Sequence, residues 1–127
     1  PFLATPVLQG PQGEKVRFLA IVDNGTMINA IDTAAYQRIT RRLNKLSTST
    51  RTLRMADGSL VPSTGTWAGA FEWGTVQVTT TFEVFPSGRS WRMLIGKPLL
   101  EQLAAIHNYG TDSIHISNAS HTSHICN

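Results

Sequence analysis

Cysteine is nearly missing from this chain of 127 residues: Cys126 stands alone, so no disulfide can close within it. A disulfide-stapled framework is excluded, and the lack suits a reducing compartment, so an intracellular, cytoplasmic setting is expected. Charged residues make up only 15% of the chain against 41% hydrophobic ones, a balance that excludes a disordered polyelectrolyte and a long charged coiled coil. No apolar run reaches the about eighteen residues that a membrane-crossing helix needs, so no membrane partner is expected. The spacing of His115, His121, His124 and Cys126 matches no closed zinc site; neither a metal nor any other cofactor is expected.

What is present is enough apolar material for one core in one domain. The formal charge is +3, and six of the eleven basic residues, Arg38, Arg41, Arg42, Lys45, Arg51 and Arg54, crowd into one stretch. Such a patch attracts nucleic acid at long range, yet it lacks the interleaved aromatics on which bases stack. It reads as a solvated surface, and a basic nucleic-acid-associated β-domain is a lesser alternative.

Residues 1–13 hold Pro1, Pro6 and Pro11 together with Gly10 and Gly13, and read as an N-terminal arm or linker. The domain proper is expected over 14–116, followed by a polar, loosely ordered tail over 117–127. Val16 to Val22 is apolar and rich in β-formers, a buried strand that delivers Asp23 at its end. Helical spacing of Ala34, Ala35, Ile39, Leu43 and Leu46 predicts a helix from Thr33 to Leu46, with Asp32 or Thr33 as its cap. From Leu53 onward, β-prone runs alternate with turn residues. Trp67, Phe71 and Trp73 share one parity, Val76, Val78, Thr80 and Phe82 another, and Asp57-Gly58 predicts a type I′ hairpin. After a strand through Trp91–Ile95, a second helix is predicted from Lys97 to Ile106, with Pro98 in its first turn, and a closing strand over Asp112–Ile116.

Asp23 ends an apolar strand and is followed by Asn24, Gly25 and Thr26. A hairpin turn would use the same residue types. With Ile21 and Val22 in front, however, the segment resembles the active-site loop of retropepsin-like aspartic proteases, Asp-Thr/Ser-Gly followed by Ala, Ser or Thr. Leu94-Ile95-Gly96, ahead of the second helix, resembles that family's second conserved feature. Met55-Ala56-Asp57-Gly58-Ser59 resembles its strand-turn-strand flap region, most of all in gypsy-class retrotransposon polyproteins.

The resemblance runs from Val16 to Ile116. It implies an all-β, closed acid-protease barrel with one or two short helices, acting on an extended polypeptide such as a retroelement polyprotein. It also implies roles: Asp23 as the catalytic carboxylate, Asn24, Gly25 and Thr26 as the active-site loop, Ala56, Asp57, Gly58 and Ser59 as the flap, and Leu94, Ile95 and Gly96 as the wall of the site. Only one such loop occurs in the chain, so a homodimer must supply the second carboxyl group. Asn24 departs from the family's Thr or Ser, whose hydroxyl braces the two loops; its amide can both donate and accept. The alternative is a catalytically inactive binding or dimerisation module of the same fold, from a domesticated retroelement.

Overall fold

In a computed structural model describing residues 1–55 and 57–127, period-two burial shapes the architecture. Strands β1 (Phe2–Ala4), β2 (Val7–Gln9), β3 (Lys15–Arg17) and β4 (Ala20–Val22) lead to Asp23. β5 (Ala30–Asp32) runs into helix α1 (Thr33–Gln37), and a 3-10 turn over Thr40–Arg42 follows. The hairpin β6 (Thr52–Arg54) and β7 (Leu60–Pro62) precedes the long hairpin β8 (Gly65–Trp73) and β9 (Val76–Phe85). β10 (Met93–Ile95) enters helix α2 (Lys97–Gln102), and β11 (Ile106–Asn108), β12 (Ser113–Ser117) and β13 (Thr122–Cys126) complete the order.

Eight strands form one curled sheet in the order β1-β4-β10-β5-β9-β8-β2-β3. Two of its joints are parallel: β4 with β10, where Ile21 faces Leu94, and β5 with β9, where Ile31 faces Val84. The remaining joints are antiparallel. β11-β12-β13 form a second sheet and β6-β7 a third. Trp67, Phe71 and Trp73 point inward as their shared parity requires, and pack with Phe82, Met93, Ile95, Leu99 and Leu103. The indole ring of Trp67 fills the space that Gly69 leaves open, 2.7 Å from where a Cβ would stand.

Several local expectations give way. Residues 1–13 are no slack arm, because Phe2, Ala4 and Leu8 bury their side chains and make β1 and β2 sheet members. Pro1, Pro6 and Pro11 flank these strands, where a missing N–H removes no ladder bond. Val16 to Val22 keeps one alternation but changes partner midway: β3 pairs with β2, β4 with β1 and β10. The tail likewise pairs, β13 on β12, and the Thr75 N–H and hydroxyl bond to Ser123 Oγ at 3.3 Å and the Thr122 carbonyl at 2.8 Å.

Both helices are shorter than their apolar spacing predicts. Continued to Leu46, α1 would set Arg38 against Arg41 and Arg42, and Lys45 against Arg41 and Arg42, at three- and four-residue spacings where like charges repel. The chain instead tightens into the 3-10 turn; all four cations lie exposed, and the Tyr36 hydroxyl donates to the Asn44 carbonyl at 2.7 Å. Helix α2 ends in a left-handed cap at Ala104, φ 48°. Ala104 N–H bonds to the Glu101 carbonyl and Ala105 N–H reaches back to Leu100, the paired closure of a Schellman motif. Ile106, the last residue of the predicted helix, is 66% exposed in β11.

Asp32 is the cap of α1, as expected, accepting from Ala35 N–H at 3.1 Å and from Ser87 N–H at 2.9 Å. Burial pushes its carboxyl up. The hydrogen bonds from Ser87 and Ala35, with the charge of Arg38, outweigh that and hold it below the ordinary 3.8. A lowered carboxylate contributes stability that is complete above its unfolded value and drains away as pH falls through its folded one. Asp32→Asn should therefore cost about 1–2 kcal/mol at neutral pH. In thermal melts from neutral to acid pH, the gap between parent and variant should shrink once pH drops below about 4.

Candidate active site

β4 carries the chain straight into the loop, and its parallel partner β10 does the same for Gly96, so the two turns meet at one end of the sheet. Asp23 N–H donates to the Ile95 carbonyl at 2.9 Å, which fixes the start of the loop to the end of β10. The Asp23 carboxylate accepts from Gly25 N–H at 2.9 Å, and Thr26 N–H closes back onto the Asp23 carbonyl at 3.2 Å. This is an Asx turn, a use of Asp that holds its carboxylate in one orientation. Asp23, Asn24 and Gly25 are all exposed in the single chain. Among the described residues the Thr26 hydroxyl is not a donor to that carboxylate; Thr26 acts through its carbonyl, which accepts from Lys97 N–H at 2.8 Å.

Gly96 is where backbone meets backbone. A Cβ there would stand 1.9 Å from the Ile28 carbonyl oxygen and 2.9 Å from that of Thr26. The residue that sequence reasoning missed is Asn29, only 7% exposed. Its Oδ1 accepts from Gly96 N–H and Leu99 N–H, both at 3.2 Å, and its Nδ2 donates to the Thr81 carbonyl at 3.2 Å. Gly96 has no side chain with which to cap α2, so Asn29 satisfies that helix's unpaired N–H at Leu99 from outside. One amide thereby ties loop, helix and β9 together. The available signal was a lone polar residue inside the apolar run Met27–Ile31, which burial permits only if its hydrogen bonds are made.

A cavity of about 650 Å³ opens beside the loop, lined among others by Phe2, Val22, Asp23, Asn24, Lys97 and Leu100. Of the three residues expected to wall the site, Leu94 is half-buried, while the Ile95 side chain lies wholly in the core. Ile95 thus meets the Asp23 loop through its carbonyl, and inward parity on β10 leaves its side chain no surface.

Among the described residues the β6-β7 hairpin pairs only with itself, Leu53 opposite Val61, and it carries exposed Leu60. Its tip departs from the type I′ turn. Gly58 takes the left-handed position at φ 86°, and its N–H donates to the Met55 carbonyl at 2.9 Å, so the turn closes from Met55 to Gly58 rather than around Asp57-Gly58. Asp57 instead spends its carboxylate on Ser59, accepting from its N–H at 2.8 Å and its hydroxyl at 2.6 Å, which lowers the carboxyl below its usual range. Ala56, the remaining residue of the expected flap, lies outside the described residues. Arg38, Arg41, Arg42, Lys45, Arg51 and Arg54 are exposed throughout, and no helix among the described residues is long and apolar enough to cross a membrane.

No family model matches the chain, and no curated protein matches it in sequence. Solved structures do match. The retroviral protease-like domain of Ddi1 from Leishmania major superposes with a TM-score of 0.72 over 98% of this chain and 90% of its own, at 13% identity. A retropepsin-like aspartic protease from Rickettsia conorii gives 0.56 over 80% of this chain and 78% of its own, at 22% identity. Likeness at these identities establishes the fold: a mostly-β, curled half-barrel of retropepsin-like type with two short helices.

Proposed function

We propose that the chain is half of an aspartic endopeptidase, a homodimer in which two Asp23 carboxyl groups face one another across a two-fold axis. The observation that carries this reading is the Asp23 loop itself. In a retropepsin-like fold it pins one carboxylate by the Gly25 N–H, anchors its backbone to Ile95, and leaves the group exposed for a second copy to meet. Burying one such group without compensation would be costly; two of them in contact divide a single proton.

The chemistry follows from that shared proton. A water between the pair gives a proton to the ionised carboxylate as its oxygen attacks the peptide carbonyl, whose oxygen takes the proton of the other carboxyl. The tetrahedral intermediate then collapses, the C–N bond breaks, and the leaving nitrogen receives a proton from the pair. The exposed β6-β7 hairpin, through Asp57, Gly58 and Ser59, serves as a flap that holds an extended polypeptide by strand addition. Leu94 and Gly96 complete the floor beside it. The sequence resemblance suggests a retroelement polyprotein, gypsy-like in class, as the substrate.

Asn24 supports a second reading, the same dimer without turnover, because an amide stands where a hydroxyl brace is usual. The two separate in one experiment. The chain should sediment as a dimer and cleave a peptide library at acidic to mildly acidic pH, with cleavage stopped by a pepstatin-type inhibitor. A stable dimer that cleaves nothing at any pH selects the inactive module; a monomer with Asp23 remote from any second copy removes both.

A further inference from the structure

Glu83 sits in the middle of β9 with only 7% of its surface exposed, and the mechanism above makes no use of it. Its Oε1 accepts from the Ser49 hydroxyl and its Oε2 from the Thr66 hydroxyl. An ionised carboxylate has about four acceptor positions, so two donors leave capacity on both oxygens. Among the described residues no cation lies within ion-pair distance of it. Neutral hydroxyls orient a buried carboxylate but do not balance its charge.

Glu83 also lines a pocket of about 320 Å³ together with Met27, Asn29, Arg51, Thr66 and Pro98. Met27 to Asn29 is the stretch leaving the Asp23 loop, and Arg51 stands at the root of the β6-β7 hairpin, since its carbonyl accepts from Ser63 N–H at 2.8 Å. The pocket therefore lies between the segment leaving the loop and the root of the hairpin, where the proposed mechanism runs an extended chain. Its backbone is rigid: Glu83 N–H donates to the Asn29 carbonyl at 2.9 Å, and Asn29 is bonded in turn to Gly96 and Leu99.

We propose that this pocket is a specificity subsite for a basic side chain, Lys or Arg, of the bound polypeptide, and that Glu83 is the residue that selects it. The proposal rests on the protease reading for the substrate being an extended polypeptide. An ammonium or guanidinium entering the pocket supplies the missing counter-charge to a desolvated acceptor, the setting in which charge-assisted hydrogen bonds are strongest. An apolar side chain of equal length would leave that acceptor unpaired, and an acidic one would meet like charge. Arg51 is the opposing influence. Its side chain is exposed and makes no ion pair with Glu83, so the buried carboxylate dominates over the solvated guanidinium.

The test reads binding rather than turnover. Fluorescent octapeptides, varied one position at a time among Lys, Arg, Met and Glu, are titrated against the Asp23→Asn chain. At one position Lys and Arg peptides should bind about tenfold more tightly than the Met peptide, and Glu more weakly still. Adding Glu83→Gln, which keeps the side chain's size and one acceptor oxygen while removing the charge, should bring Lys and Met within about twofold. Arg51→Ala should widen the preference for cations. Absence of any basic preference, a preference that survives Glu83→Gln in a variant with parental melting behaviour, a preference for Glu, or no peptide binding at all overturns the proposal. Cleavage by the unmodified chain is assayed in parallel. Selective binding without cleavage defeats the protease reading alone, and cleavage without basic preference defeats this proposal alone.

Discussion

Asp23→Asn is expected to reduce peptide hydrolysis by about 10³-fold or more while leaving the fold intact. General acid–base catalysis by one positioned group contributes about 10²–10⁴-fold, and in a symmetric dimer a single substitution removes acid and base together. Asn retains the Oδ1 that accepts from Gly25 N–H at 2.9 Å, so the turn keeps its geometry. Asp23 is exposed in the single chain, so little packing is lost. The loss should fall on kcat rather than KM, because in the proposed mechanism the carboxyl pair acts on the water and the scissile bond and not on the flanking side chains. Steady-state cleavage at several pH values, with thermal melts as the folding control, measures both. Retention of more than a tenth of the parent activity by a properly folded variant would falsify the assignment of Asp23.

Gly96→Ala should do the reverse, damaging the fold first and activity as a consequence. The added methyl group has no side chain to push aside. It would stand 1.9 Å from one carbonyl oxygen and 2.9 Å from another, both on the strand of chain leaving the Asp23 loop. Relief requires Ile28 and Thr26 to retreat, which stretches the Asn29 bonds to Gly96 and Leu99 and the Lys97 bond to Thr26. Overpacking costs about 1–3 kcal/mol where neighbours can adjust, and contact with backbone places this case at about 3 kcal/mol or above. For a domain of this size that is a fall in Tm of roughly 10 °C. Gly25→Ala is the matched control: there a Cβ meets only the Asp23 carboxylate, at 3.3 Å, so its thermal effect should be much smaller. Equal melting temperatures for the two variants would mean that Gly96 is replaceable and the contact relaxes freely.

Where one periodicity ruled a segment, its structure was legible in advance. Trp67, Phe71 and Trp73 announced β8, Phe82 and its neighbours β9, and the apolar lead into Asp23 placed that residue at a strand end. Where two physical effects competed, reading by one of them failed. Apolar spacing extended α1 through a cluster of four cations that cannot share a helical face comfortably, and extended α2 past Ala104, which takes a left-handed φ without the glycine that would have signalled it. Prolines suggested a linker over 1–13 because their restriction was read without the burial of Phe2 and Leu8 around them. Asn29 and Glu83 were overlooked for a shared reason. Each is one polar residue in an apolar run, and only the assembled sheet shows which donors and acceptors reach it.

The side-by-side parallel register of β4 and β10 also governs timing. Its partners are about seventy residues apart, among the slowest kinds of contact for a chain to find, and neither the Ile95 anchor nor the Gly96 wedge exists until the later strand has docked. A polypeptide emerging from the ribosome would thus carry Asp23 in an unset loop until residues 93–96 had followed it out and docked beside it.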